Sequence, residues 1–194
     1  MDLVILILAA GAGTRMRGGD KLTEDVAGEP LLRRQARAAL ATGCAVIVVL
    51  PPGRPARSAA IEGLPVRTVI AAEADRGMSA SLRAGVADAG GAAVMVLPAD
   101  MPDLGTAELD AMVAAFRETP GMILRAAASD GTPGHPAIFP ADLCPALART
   151  TGDRGGRDVI AAHPDRLRLV PLPGRAALTD LDTPEDWAAW RAGR

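Results

Sequence analysis

Six apolar runs rich in β-branched residues recur along the chain, at positions 3–9, 45–50, 66–71, 92–97, 122–127 and 167–172. They lack the polar alternation of a half-exposed strand, which predicts strands buried on both faces. Between them, segments 31–41, 79–89 and 106–118 carry apolar residues at helical spacing, with Gly or Pro at their edges. Strands alternating with helices predict an α/β fold with a mostly parallel central sheet flanked by helices on both faces. A last helix is marked by Thr183 as N-cap, Pro184 at the first helical position and acidic Glu185 and Asp186 behind it. Trp187 and Trp190 lie three apart on one face of that helix and read as core anchors. With no repeat, low-complexity tract or long linker, residues 1–194 read as one domain. Segment 129–157 is rich in Gly and Pro and reads as loops, of the kind that bind ligands in compact domains.

The balance of charges narrows the partners. A formal net charge of −2 gives no footprint for nucleic acid or an anionic membrane. Tyr is absent and other aromatics are scarce, so stacking platforms for single strands are missing too. Cys44 and Cys144 lie far apart among apolar residues, without CxxC spacing, and read as reduced, buried thiols. The first apolar run is too short to span a bilayer and carries Asp2 where an export signal needs positive charge. A cytoplasmic location is the expectation.

Candidate chemistry begins in the turn after the first run, Leu8-Ala9-Ala10-Gly11-Ala12-Gly13-Thr14-Arg15-Met16-Arg17-Gly18-Gly19-Asp20-Lys21. Closely spaced glycines let backbone N–H groups point at an anion. Lys21 is the only lysine among 21 Lys and Arg residues, which suggests a position needing a compact ammonium rather than a broad guanidinium. Met16 stands at the third glycine position of a dinucleotide fingerprint, and Gly18 is followed by Gly19-Asp20 rather than the Lys-Ser/Thr of a P-loop. The run 92–97 leads into Pro98-Ala99-Asp100-Met101-Pro102, which puts a carboxylate at the carboxyl edge of the sheet, where ligands bind in open α/β folds. Lys21 and Asp100 are therefore expected to face one cleft. A carboxylate facing a polyphosphate suggests a bridging Mg²⁺, and Asp180 or Asp182 would add a second oxygen. His163 reads as a surface residue.

These residues resemble the MobA-like nucleotidyltransferases, most closely the molybdenum cofactor cytidylyltransferases. The resemblance is carried by Leu8 to Met16 with Lys21, by Gly77-Met78-Ser79-Ala80-Ser81-Leu82-Arg83-Ala84-Gly85, and by Leu97 to Pro102. Gly134-His135-Pro136, Gly152-Asp153-Arg154-Gly155-Gly156-Arg157 and Asp180-Leu181-Asp182-Thr183-Pro184-Glu185-Asp186 complete it. It implies a Rossmann-like nucleotidyltransferase fold and transfer of CMP from CTP to molybdenum-bearing molybdopterin, releasing pyrophosphate with Mg²⁺. It further implies that Leu8, Ala9, Ala10, Gly11, Ala12, Gly13, Arg15, Lys21 and Pro98 line the nucleotide, with Lys21, Arg15 and Asp100 catalytic. Asp100 and Asp182 would hold the metal, and Ser79, Ser81, Arg83 and His135 would lie toward the pterin. A recipient molybdoenzyme or its chaperone is the implied protein partner.

Arg17 stands where the family usually has Gly after the Arg-Met pair, and two further segments bear on the base. Gly18-Gly19-Asp20-Lys21 is similar to the guanylyl-transferring branch, whereas Ala9-Ala10-Gly11 is similar to the cytidylyl branch. A methyl at residue 10 is expected to narrow the base pocket and favour CTP. Rival readings are guanylyl transfer, nucleotidyl transfer to another phosphorylated acceptor, a non-catalytic cofactor carrier and a Rossmann oxidoreductase. A carrier would not need Lys21, Asp100 and Asp182 together. An oxidoreductase lacks its acidic residue after the second run, where Leu50-Pro51-Pro52 stands.

Overall fold

In the computed structural model, residues 2–152 and 154–193 are described, with the backbone but not the side chain of Thr14; Asp153 lies outside the described residues. In chain order the regular elements are β1 (Leu3–Leu8), β2 (Asp25–Val26), β3 (Glu29–Pro30), α1 (Leu31–Ala41), β4 (Ala45–Leu50), α2 (Pro55–Ala60), β5 (Arg67–Ile70) and α3 (Met78–Asp88). They continue as β6 (Ala93–Pro98), α4 (Thr106–Glu118), β7 (Ile123–Ala127), β8 (Pro133–Phe139), α5 (Cys144–Leu147), α6 (Arg157–Ala162), β9 (Leu167–Pro171) and α7 (Pro184–Ala192).

Seven strands form one sheet in the order β5-β4-β1-β6-β8-β7-β9, and the short β2–β3 pair stands apart. Neighbours pair in parallel except for β8, which runs antiparallel between β6 and β7. The continuous apolar runs have the reason expected of them. Along β1, Ile5 and Ile7 enter one apolar cluster with Leu31, Leu32, Leu109 and Trp187, while Val4 and Leu6 enter another with Leu82, Val86 and Leu147. Alternate side chains thus feed two helical layers, one on each face.

Local rules account for the helices. In α4 the buried residues Leu109, Met112, Val113 and Phe116 recur at i, i+3, i+4 and i+7. In α7 the Thr183 hydroxyl accepts from Asp186 N at 3.1 Å, and the Asp186 carboxylate accepts from Thr183 N at 2.8 Å, closing a reciprocal cap. Trp187 is buried, while Trp190 packs partly buried against the same cluster and donates to Asp103 at 2.9 Å. Both cysteines are free; Cys144 is buried, with its thiol pushed up to about 11 by burial, and Cys44 is half-buried.

Segment 129–157 departs from its reading as loops, because 133–139 forms β8 in the interior of the sheet. Its prolines do not break the ladder to β6, since the paired residues on that side are Ala137, Ile138 and Phe139, all after Pro136. Gly134 is required by close approach: a Cβ there would collide with the Ala177 carbonyl, to which His135 N donates at 2.8 Å.

Candidate functional site

The sheet order changes direction at β1, which has β4 on one side and β6 on the other. Crevices of open α/β sheets form at the carboxyl ends of strands flanking such a point. Here it holds a cavity of about 580 Å³, lined among others by Gly11, Arg15, Lys21, Pro98, Asp100 and Asp182. The glycine turn after β1 and the Pro98-Ala99-Asp100 turn after β6 share this cavity, as their positions in the sequence imply.

Lys21 and Asp100 are in direct contact. Lys21 Nζ lies 2.5 Å from Asp100 Oδ2 and 2.5 Å from Asp182 Oδ1. Arg15 adds a contact of 2.7 Å to the other oxygen of Asp182. Burial by itself would lower the Lys21 ammonium's pKa, but Asp100 and Asp182 outweigh it and hold the group above the usual lysine value. Asp182 is placed by two devices: Leu181 N donates to the Asp100 carbonyl at 3.1 Å, and Asp182 N donates to Asp186 at the start of α7 at 3.1 Å. Asp180 also lines the cavity, and its carboxyl is pushed up, first by burial and then by Asp182 and Asp100.

The turn is held from behind by residues that sequence reasoning missed. Arg57 of α2, fully buried, donates to the carbonyls of Ala9 at 2.6 Å and Gly11 at 2.8 Å. Its Nε and Nη2 reach Asp20 at 2.7 and 3.0 Å, a bidentate pair that holds the Asp20 carboxyl below the usual range despite burial. Arg54 takes the Ala12 carbonyl at 3.0 Å. Among the described residues, the N–H groups of Gly11, Ala12 and Gly13 donate to no protein acceptor. With Gly13 in the left-handed region at φ 63°, the turn presents free donors while its carbonyls are occupied. Behind Asp100, buried Gln35 donates to the carbonyls of Met101 at 2.7 Å and Leu104 at 3.2 Å. Neither Arg57 nor Gln35 carried a sequence signal beyond a polar residue on an apolar helix face.

Other expected site residues divide. Ser81 and His135 line the cavity. Ser79 is fully buried off its wall, and Arg83 turns away to the Thr150 carbonyl at 2.9 Å and to Glu73 at 3.4 Å. Ala9 and Ala10 are buried beneath the turn, Ala10 within the α3-side apolar cluster, so its methyl does not narrow the cavity. Leu8 packs against the same cluster and Ala12 is exposed. Arg125 and Arg157 line the cavity as well.

Among the described residues no group of three or more His, Cys, Asp or Glu side chains could hold a metal ion. Asp100 and Asp182 nevertheless converge on one nitrogen, so a single cation can bridge them. Two carboxylates completed by water and substrate oxygens are a common Mg²⁺ arrangement, and the pair fits that ion.

An α/β sheet with a glycine turn, an ammonium and paired carboxylates at its switch point defines a nucleotidyltransferase-type frame. The chain belongs to the MobA-like NTP transferase domain family, which it matches over residues 5–167. It is 32% identical to nicotine blue oxidoreductase of Paenarthrobacter nicotinovorans, over 93% of this chain and 92% of that protein. It is 28% identical to molybdenum cofactor guanylyltransferase of Serratia proteamaculans, over 98% and 94% of the two chains. A nucleotidyl transferase from Methanothermobacter thermautotroptrophicus superposes with a TM-score of 0.83 at 24% identity, covering 99% and 97%. A Mycobacterium tuberculosis H37Rv protein solved with manganese gives 0.80 at 22% identity, with 97% of each chain covered. Among the described residues no helix is long and apolar enough to cross a membrane.

Proposed function

We propose that residues 1–194 act as one transferase domain that moves a nucleotidyl group from a nucleoside triphosphate to a molybdopterin-type phosphate, with Mg²⁺. The observation that carries this is the convergence of Lys21, Asp100 and Asp182 beside the free N–H groups of Gly11, Ala12 and Gly13. The relative named a molybdenum cofactor guanylyltransferase supports the acceptor. In this reading an oxygen of the acceptor's terminal phosphate attacks the α-phosphorus in line, and the bond to the β-phosphate oxygen breaks. The electron pair leaves with pyrophosphate. No protein nucleophile is needed, so neither cysteine nor Ser79 or Ser81 has a covalent role. The Gly11–Gly13 donors cradle the phosphates, while Lys21 and Arg15 offset charge that grows on the leaving group. Asp100 and Asp182 would hold the metal, which supplies charge neutralisation at the α-phosphate. The manganese-bound structural neighbour supports a divalent ion.

CTP is the proposed donor on the strength of Ala9-Ala10-Gly11; GTP is the second reading, favoured by the guanylyltransferase relative and by the burial of Ala10 away from the cavity. Pyrophosphate release with CTP, GTP, ATP and UTP, with and without molybdenum-loaded molybdopterin, tests both. Acceptor-dependent release with CTP is expected; release with GTP alone transfers the assignment, and release with no nucleotide rejects transfer. A recipient molybdoenzyme or its chaperone in the cytoplasm would take the product. An oxidoreductase is favoured by the full-length relative of that name. Against it, β4 ends in Leu50-Pro51-Pro52 without an acidic residue for a nicotinamide dinucleotide's ribose. Oxidation of NADH or NADPH by the purified chain would revive it.

A further inference from the structure

The cavity has a second positively charged wall that the nucleotide end leaves unused. Arg125 rises from the middle of β7, held by hydrogen bonds from Nε to the Gly134 carbonyl at 3.0 Å and from Nη2 to the Pro133 carbonyl at 3.4 Å. Arg157, the first residue of α6, lines the same cavity. Nearby Arg15, Arg57 and Arg154 all have carboxylate partners, yet among the described residues Arg125 and Arg157 have none. Burial and then the Arg157 charge depress the Arg125 pKa, so the two guanidiniums feel each other. His135 lines the cavity with them, and its Nδ1 is buried without a partner. Like charges gathered without a counter-charge cost free energy, and here an anion from outside would supply the counter-charge.

This wall is distinct from the metal end. In the sheet order β7 lies two strands from β6, about 10 Å at the usual strand spacing. An apolar recess lined by Met78, Leu82, Phe139 and Ile160 opens beside the two arginines. The chemistry that fits is an acidic group on a body with an apolar face. We propose that Arg125 and Arg157 form a second anion subsite, which fixes an acidic group of the nucleotidyl acceptor away from Lys21. The proposal rests on the transferase reading for the word acceptor, but the anion site itself does not.

Calorimetric titration of the full chain with inorganic phosphate, with and without saturating nucleotide and Mg²⁺, tests it without turnover. Phosphate is expected to bind in both conditions, tenfold or more weakly in Arg157→Gln, while nucleotide affinity stays within twofold. Among the described residues the Arg157 side chain makes no hydrogen bond whose loss would confuse the result, and Arg125→Gln is compared at matched melting temperature. A parallel titration with acetate distinguishes a carboxylate from a phosphoryl ligand by which binds tighter. Unchanged phosphate affinity in both variants overturns the subsite, as does loss of nucleotide affinity in step with phosphate. If phosphate binds as expected but no nucleotide binds or reacts, the transferase reading fails and the anion site stands.

Discussion

Two cation–carboxylate clusters lie on either side of the glycine turn, and they are built for opposite ends. Arg57 is fully buried and spends its donors on Asp20 and on the carbonyls of Ala9 and Gly11. Lys21 is 12% exposed, its partners Asp100 and Asp182 are 20% and 17% exposed, and all three face the cavity. The first cluster is closed: its geometry is bidentate and saturated, so it fixes backbone. The second is open, and a compact ammonium sits where a divalent ion would also fit. Equal chemistry thus yields a strut in one place and, on the proposed reading, an exchangeable site in the other, decided by exposure and by spare coordination.

The largest effect should come from the closed cluster. Arg57→Ala leaves Asp20 half-buried and two carbonyls without their donor, and breaking such a pair costs about 3–5 kcal/mol. Arg57→Lys should recover little, because one ammonium cannot span both Asp20 oxygens and the turn. Denaturant unfolding measures this. A loss below 1 kcal/mol for Arg57→Ala would mean that the turn does not depend on the strut, and added Mg²⁺ should restore nothing.

The open cluster should answer differently. In the proposed transfer, Lys21→Ala removes a donor aimed at developing charge, so turnover should drop by roughly 10²–10³-fold. It also leaves Asp100 and Asp182 facing each other without the ammonium between them, with only the exposed Arg15 still on Asp182, so the melting temperature should fall. Millimolar Mg²⁺ or Mn²⁺ should restore that temperature but not the turnover. Thermal melts with and without the ion separate the two clusters: rescue in the Arg57 variant, or its absence in the Lys21 variant, would break the contrast drawn between them.

His135 sharpens the comparison through pH. Burial first, then Arg125, hold its pKa at about 4, well under the ordinary 6.5. The unfolded chain binds this proton more tightly than the folded one. Stability is therefore full above about pH 6.5 and drains as pH falls toward 4, by about 3 kcal/mol in all. In His135→Gln this window should flatten, while the component lost as the Asp20 carboxyl protonates at lower pH should persist. Stability curves of the two proteins that run parallel from pH 7 to 4 would show that His135 is not the titrating group.

How much of this was legible in the sequence depends on whether the cause was local. Helices 31–41 and 106–118 and strand 45–50 were readable to the residue, because apolar spacing and edge signals are local properties. The paired ends of β1 and β6 were readable as well, since a glycine turn and a proline-bracketed Asp mark the carboxyl edge of a sheet. Strand β8 was hidden because Gly134 and Pro136 look like turn residues; the reason for Gly134 is Ala177, more than forty positions away. Arg57 and Gln35 were hidden for the same cause, since each serves backbone that only the fold brings near. The arginines of the second wall were invisible as a pair until β7 and α6 met.

The smallest predicted effect tests how Asp182 is held. Its backbone N–H and that of Thr183 both donate to Asp186, and the Thr183 hydroxyl completes the cap at the start of α7. Thr183→Ala should cost about 1 kcal/mol, the usual value of a lost N-cap. Asp182 borrows its position from that cap, so the same substitution should weaken divalent-ion binding by a few-fold while leaving the Arg57–Asp20 pair untouched. Ion titration and denaturant unfolding on one preparation suffice. A stability loss of the expected size with unchanged ion affinity would show that the Leu181 hydrogen bond to the Asp100 carbonyl positions Asp182 by itself, and the open cluster would then be as self-contained as the closed one.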